Sequence, residues 1–324
     1  MTFTYYSGSD NMSFNTKKSI KIITFCMAAV LLSGTVAAAV LSYDKPREAE
    51  PRTSISDYIN VNESERPLET LVSDGGYCGI FRTVGVIGDS LSSGEFEGTD
   101  ENGKTTWTDM YDYSWGQVMA RDTGSKVYNF SKGGLTAEGF LTWTSDMASN
   151  PDKLGFGAFD DDKKCQAYII ALGVNDLLVK NVPVGTTADI HINNPEQNDK
   201  TFAGWYGKII SKLKAIQPEA RIFLMTMPRD GDDSETVSKL KEEHKNLLLE
   251  MKELFGKYTY VLDFNTYAPV YDREFKNQYY LGNHMNPAGY VQTARMVESY
   301  IDYIIRHNSA DFAKVGFVGS NIKH

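Results

Sequence analysis

From Phe81 onward, short apolar runs alternate with longer amphipathic ones, and no other feature of the chain narrows the possible folds as much. The short runs, at 83–87, 126–130, 166–172, 221–227 and 258–264, have strand length and β-type composition. Apolar residues recur at helical spacing over 114–121, 136–147, 202–216 and 234–255, and again over 287–307. Asn286 followed by Pro287 is a helix-start signature, a side-chain cap and then a residue with no N–H to satisfy. Parallel neighbours cannot be joined by tight hairpins and need crossover helices. The alternation therefore predicts an α/β fold, with parallel strands, right-handed crossovers and helices on both faces.

Three segments divide the chain. In residues 1–42, Lys17, Lys18 and Lys21 precede an apolar run from Ile22 to Leu41, which ends near the small residues Ala37, Ala38 and Ala39. This reads as a cleaved secretory signal or as an uncleaved membrane anchor. Either way, the basic flank places the chain beyond Leu41 outside the cytoplasm, secreted or tethered. Residues 43–79 are polar, contain Pro46, Pro51 and Pro67, and read as a linker. Residues 80–324 form the folded domain. A formal charge of -9 with no basic cluster beyond the N-terminal lysines argues against nucleic acid as a partner. Of the three cysteines, Cys26 lies in the apolar run. Cys78 and Cys165 precede two strands and are expected either to pair as a disulfide or to stay separate as buried thiols.

The chemistry-bearing residues sit where the strands end, the edge at which open α/β sheets bind ligands. Gly88-Asp89-Ser90-Leu91 follows the first strand, Ser131 to Thr136 with Gly133-Gly134 the second, and Gly173-Val174-Asn175-Asp176 the third. Asn283-His284-Met285-Asn286 arrives after the fifth. Ester hydrolysis needs this set. Ser90 would attack an acyl carbon while His284 takes its proton and later gives one to the leaving group. The backbone N–H groups of Ser90 and Gly134 and the side-chain amide of Asn175 would hold the oxyanion.

These four blocks resemble those of the SGNH (GDSL-type) hydrolase superfamily, whose named serine, glycine, asparagine and histidine match Ser90, Gly134, Asn175 and His284. The resemblance spans about 82–307 and implies a flavodoxin-like, three-layer, five-stranded parallel sheet in the order 2-1-3-4-5. It implies a serine esterase acting on small-molecule, glycan or lipid esters and using no cofactor. Acyl transfer to a cell-envelope glycan, or glycan binding without catalysis, are the alternatives. One departure stands out. The superfamily usually has an aspartate three residues before the histidine, and here that residue is Leu281. Asp263, Asp272 or a backbone carbonyl near Leu281 would then orient His284, and a Ser-His dyad with a carbonyl partner is the working expectation.

Two stretches, 94–113 and 182–200, read as long loops over the edge where a substrate would lie. Water exclusion by the second would favour transfer. Trp107, Trp115 and Trp143 fall near them, and the polar setting of Trp107 makes it the candidate to meet substrate. The remaining histidines lack ligand-like spacing, so no catalytic metal is expected.

Overall fold

The computed structural model describes residues 61–142, 155–313 and 315. Strand β1 (Thr83–Gly88) is followed by a hairpin of β2 (Glu95–Thr99) and β3 (Thr105–Asp109). Then come β4 (Lys126–Asn129), β5 (Ala167–Ala171), β6 (Arg221–Met225) and β7 (Thr259–Leu262), and a small ribbon of β8 (Tyr280–Leu281) and β9 (His284–Met285). The main sheet has the order β4-β1-β5-β6-β7 with every pair parallel. Counted along the sheet's own strands, this is the expected 2-1-3-4-5.

The buried strands alternate their side chains between two cores, as a period of two requires. On β5, Ala167 and Ile169 face one layer while Tyr168 and Ile170 face the other; on β6, Phe223 opposes Ile222 and Leu224. The short helix α1 (Ser90–Ser93) follows β1, and α2 (Trp115–Thr123) precedes β4. Next come α3 (Ala137–Thr142), α4 (Phe202–Ile216), α5 (Glu235–Phe255), α6 (Phe264–Tyr267), α7 (Arg273–Tyr279) and α8 (Pro287–His307). Helices α2 and α8 cover the first face, and α3, α4 and α5 the second. Asn286 caps α8 as expected, accepting the Gly289 N–H at 2.9 Å. The end of the second predicted helix, with Trp143, lies outside the described residues, as does the apolar run at 22–41. Among the described residues no helix is long and apolar enough to cross a membrane.

Three expectations need correction or refinement. Cys78 and Cys165 are free, buried thiols, not a disulfide. They sit in different cores on opposite faces of the sheet, with Cys78 Sγ donating to the Glu298 carbonyl and Cys165 Sγ to that of Lys163. The stretch 94–113 is not a loop. Its centre is the β2–β3 hairpin, in antiparallel register from Glu95↔Asp109 to Thr99↔Thr105. The stretch 182–200 is irregular, but it does not line the cavity beside Asp89. Phe202 and Ala203 donate to the carbonyls of Pro183 and Val184, and buried Ile190 packs against Gly207 of α4.

Candidate active site

The strand order explains why Ser90, Gly134 and Asn175 meet. Strands β4, β1 and β5 are adjacent, so the chain segments leaving them converge on one edge. Asp89 closes the turn after β1 by accepting the Leu91 N–H at 3.0 Å, which makes Ser90 the first residue of α1. Ser90 is half-buried, and neither its hydroxyl nor its N–H is hydrogen-bonded to another described residue. After β4, a turn closed by Leu135 N–H to Lys132 O (3.2 Å) leaves Gly134 at φ +73°, with its N–H likewise free. Asn175 opens a wide turn over Val174–Val179, with Lys180 N–H reaching its carbonyl at 2.8 Å. Such π-type turns recur at functional sites. Its Nδ2 donates to Asp89 Oδ2 (3.3 Å) and Leu135 O (3.2 Å).

The Asp89 carboxyl is pushed up to about 7, mainly by burial and further by Asp176, against the pull of the Leu91 N–H. Burial likewise lifts Asp176 to about 6. Beside Asp89 lies an apolar cavity of about 60 Å³, lined by Leu91, Trp115, Val174, Met225 and Met285 among others.

His284 comes from β9, and the hairpin brackets it. Glu95 and Glu97 share a face of β2, while Phe96 between them packs on Tyr113 and Tyr290. Glu95 Oε1 lies 3.0 Å from His284 Nε2, and Glu97 Oε2 lies 3.5 Å from Nδ1. The same Glu97 oxygen accepts the Asn283 N–H at 3.0 Å. Gly282 stands at φ +64°, and a Cβ there would fall 2.5 Å from the Glu97 carboxyl carbon. The close approach therefore requires glycine. A Cβ on Gly133 would collide with the Glu95 carboxylate in the same way. Burial raises the Glu95 carboxyl above its ordinary range, His284 pulls it back, and Asp109 pushes it up again. Tyr290 of α8 donates to the Glu95 carbonyl at 2.7 Å and the Ser93 hydroxyl donates to Asp109, so the hairpin is anchored to both α8 and α1.

None of the partners expected for His284 serves it. Asp263 caps α6, taking the Thr266 N–H and the Thr226 hydroxyl, and Asp272 caps α7 through the Phe275 N–H. Leu281 is 49% exposed, and among the described residues no carbonyl hydrogen-bonds to Nδ1. The dyad with a carbonyl partner is thus corrected: the carboxylate beside Nδ1, 3.5 Å away, is that of Glu97. Ser90 and His284 sit on contacting elements, α1 and β9, but no hydrogen bond joins them, and Nε2 faces Glu95 instead. Catalytic hydrogen bonds are often long in unliganded sites and tighten only when substrate binds. Sequence reasoning missed Glu95 and Glu97. The signal was present in Glu95-Phe96-Glu97-Gly98-Thr99 and Thr105-Thr106-Trp107-Thr108-Asp109, two period-two runs separated by Asp100 to Lys104. Trp107 stands opposite Glu97 and is 56% exposed, whereas Trp115 is buried.

Residues 86–292 match the model of the GDSL-like lipase/acylhydrolase family. The chain belongs to this family and is an ester-hydrolysing enzyme. No curated protein matches it. Among solved structures, a Lactobacillus plantarum protein is similar at 17% identity and a TM-score of 0.48, covering 68% of this chain and 97% of its own. A Clostridium thermocellum family two carbohydrate esterase, solved with cellohexaose, is similar at 17% identity and a TM-score of 0.47, covering 71% and 65%. The same organism's family 3 carbohydrate esterase is similar at 13% identity and a TM-score of 0.43, covering 69% and 97%.

Proposed function

We propose that the enzyme cleaves short-chain acyl esters, sugar esters among them, through an acyl-enzyme on Ser90. The Ser90 hydroxyl attacks the acyl carbon as its proton passes to His284 Nε2, which must swing from Glu95 to the serine. The oxyanion is met by the N–H groups of Ser90 and Gly134 and by the Asn175 amide, which gives up its long contact to Asp89. Collapse of the tetrahedral intermediate expels the alcohol, protonated by His284, and a water then repeats the sequence in reverse. What carries this reading is the pair of unpartnered backbone N–H groups beside Ser90, held at the exits of adjacent strands. Exposed Trp107 supports a sugar as the alcohol, since an aromatic face beside a site can stack on a sugar ring. Action outside the cytoplasm rests on the run from Lys17 to Leu41.

The test is hydrolysis of p-nitrophenyl acetate and of an acetylated sugar by the full chain and by Ser90→Ala. Wild type should cleave both esters, and the variant should lose roughly 10³-fold or more in kcat. Equal rates from the two proteins would refute the mechanism. Acetyl appearing on an added sugar acceptor instead of water would redirect the reading to transfer.

A further inference from the structure

We propose that Glu97, carried in by the β2–β3 hairpin, is the positioning residue for His284 and does the work of the missing aspartate at Leu281. The inference rests on the serine-hydrolase reading above. A base that accepts the serine proton on Nε2 needs Nδ1 protonated and held, and the resulting imidazolium needs a negative charge beside it. Three observations assign both tasks to Glu97. Its carboxylate lies 3.5 Å from Nδ1, and Nδ1 is buried with no hydrogen-bond partner of its own among the described residues. The carboxylate is fixed from a second direction by the Asn283 N–H at 3.0 Å, the residue adjoining the histidine. Gly282, the residue after Leu281, leaves the space the carboxylate fills. Glu95 cannot fill the role, because it lies on Nε2, the nitrogen the serine must reach. The ionisable groups around the ring are thus Glu95 and Glu97 of β2, Asp109 of β3 beside Glu95, Asp89 at the serine turn, and Tyr280 and Tyr290. Of these, only Glu97 combines proximity to Nδ1 with an anchor of its own.

Leu281 is the cross-strand partner of His284 in the β8–β9 ribbon, and cross-strand pairs share a face. An aspartate there would face the ring from the superfamily's usual position, which makes a rescue experiment available. The experiment compares wild type, Glu97→Gln, Glu97→Asp, Leu281→Asp in the Glu97→Gln background, and Ser90→Ala, with kcat and KM for p-nitrophenyl acetate measured across pH. Glu97→Gln should lower kcat by at least about tenfold, short of the ~10⁴ lost when a fully buried triad acid is neutralised. KM should stay within about twofold, since substrate binding is untouched. The acid limb of kcat/KM should move to lower pH, because the imidazolium loses its stabilising charge; a merely structural role would leave that limb in place. Glu97→Asp should fall between, and Leu281→Asp should restore part of kcat and return the limb. An unchanged kcat, or a lost kcat with an unmoved limb and no rescue, overturns the assignment. Ester cleavage surviving Ser90→Ala would instead overturn the serine mechanism, a separate and separately readable failure.

Discussion

Asn175 occupies the tightest place in the site, because in the proposed mechanism its amide serves both the fold and the reaction. Its two Nδ2 contacts, at 3.3 Å to Asp89 and 3.2 Å to Leu135 O, are long for amide donors, so neither holds it strongly. Losing one oxyanion donor typically costs about 10²–10³ in kcat. Asn175→Ala should show that loss in kcat on p-nitrophenyl acetate, with KM nearly unchanged, because the donor acts on charge that exists only in the transition state. It should also leave the Asp89 carboxyl with one donor fewer, the Leu91 N–H alone. A variant that lost KM and not kcat would mean that Asn175 holds the ground-state ester. Ser90, Gly134, Asn175 and His284 could all be placed at this edge from the chain because each follows a strand or precedes a capped helix, while the choice of Gly134 over Gly133 came from the family resemblance.

Glu95 and Glu97 were not legible, and the reason lies at the level of the element. A half-exposed hairpin buries little apolar surface, so its alternation carries charged and polar residues and reads as a loop. Only the tertiary contact, Phe96 on Tyr290 and Tyr113, shows which side of β2 faces the body and hence that both glutamates turn to His284. The strands of the main sheet had the opposite character. Buried on both faces, they appear as near-continuous apolar runs, and their order follows from parallel crossovers. The hairpin's aim depends on few bonds, and the Tyr290 hydroxyl makes one of them, to Glu95 O (2.7 Å), beside a long bond to Ser90 O of α1 (3.4 Å). Tyr290→Phe keeps the ring packing and removes both bonds. It should cost about 1 kcal/mol of stability by denaturant unfolding, and it should lower kcat several-fold as the glutamates lose their register on the histidine. If kcat followed stability at other buried tyrosines, such as Tyr206→Phe, the hairpin would have no special part in the site.

Across the whole molecule, the chemistry lies at one end of the sheet and a buried acidic junction lies on α8, where three segments meet. Residues 62–79, read from composition as linker, are held to α8: Val72 N–H to Ser299 Oγ at 2.9 Å, Tyr77 N–H to Asp302 at 2.8 Å, and Glu65 in a two-pronged pair with Arg306. Under this strap Glu298 is fully buried, with Arg295 3.6 Å away and neither carboxyl oxygen hydrogen-bonded. Burial first, then repulsion from Asp122 of α2, pushes its carboxyl up to about 8, and Arg295 offsets only part of this. The unfolded chain would release that proton near the ordinary 4.5, whereas the folded chain keeps it to about 8. Between those values the folded state binds more protons than the unfolded state, so Glu298 makes stability fall as pH rises, and its contribution levels off above about 8. Glu298→Gln stays neutral at every pH. It should flatten the decline of Tm across that window and raise Tm by at least a few degrees near pH 9, about 1 kcal/mol moving a protein of this size by roughly 2–4 °C. Ester hydrolysis below pH 7 should not change, since the ion pairs of this junction, Arg295 with Asp122 and Glu298, include none of Ser90, Gly134, Asn175 and His284. A Tm profile parallel to that of wild type would show that Glu298 is charged in the folded state, and that Arg295 outweighs its burial.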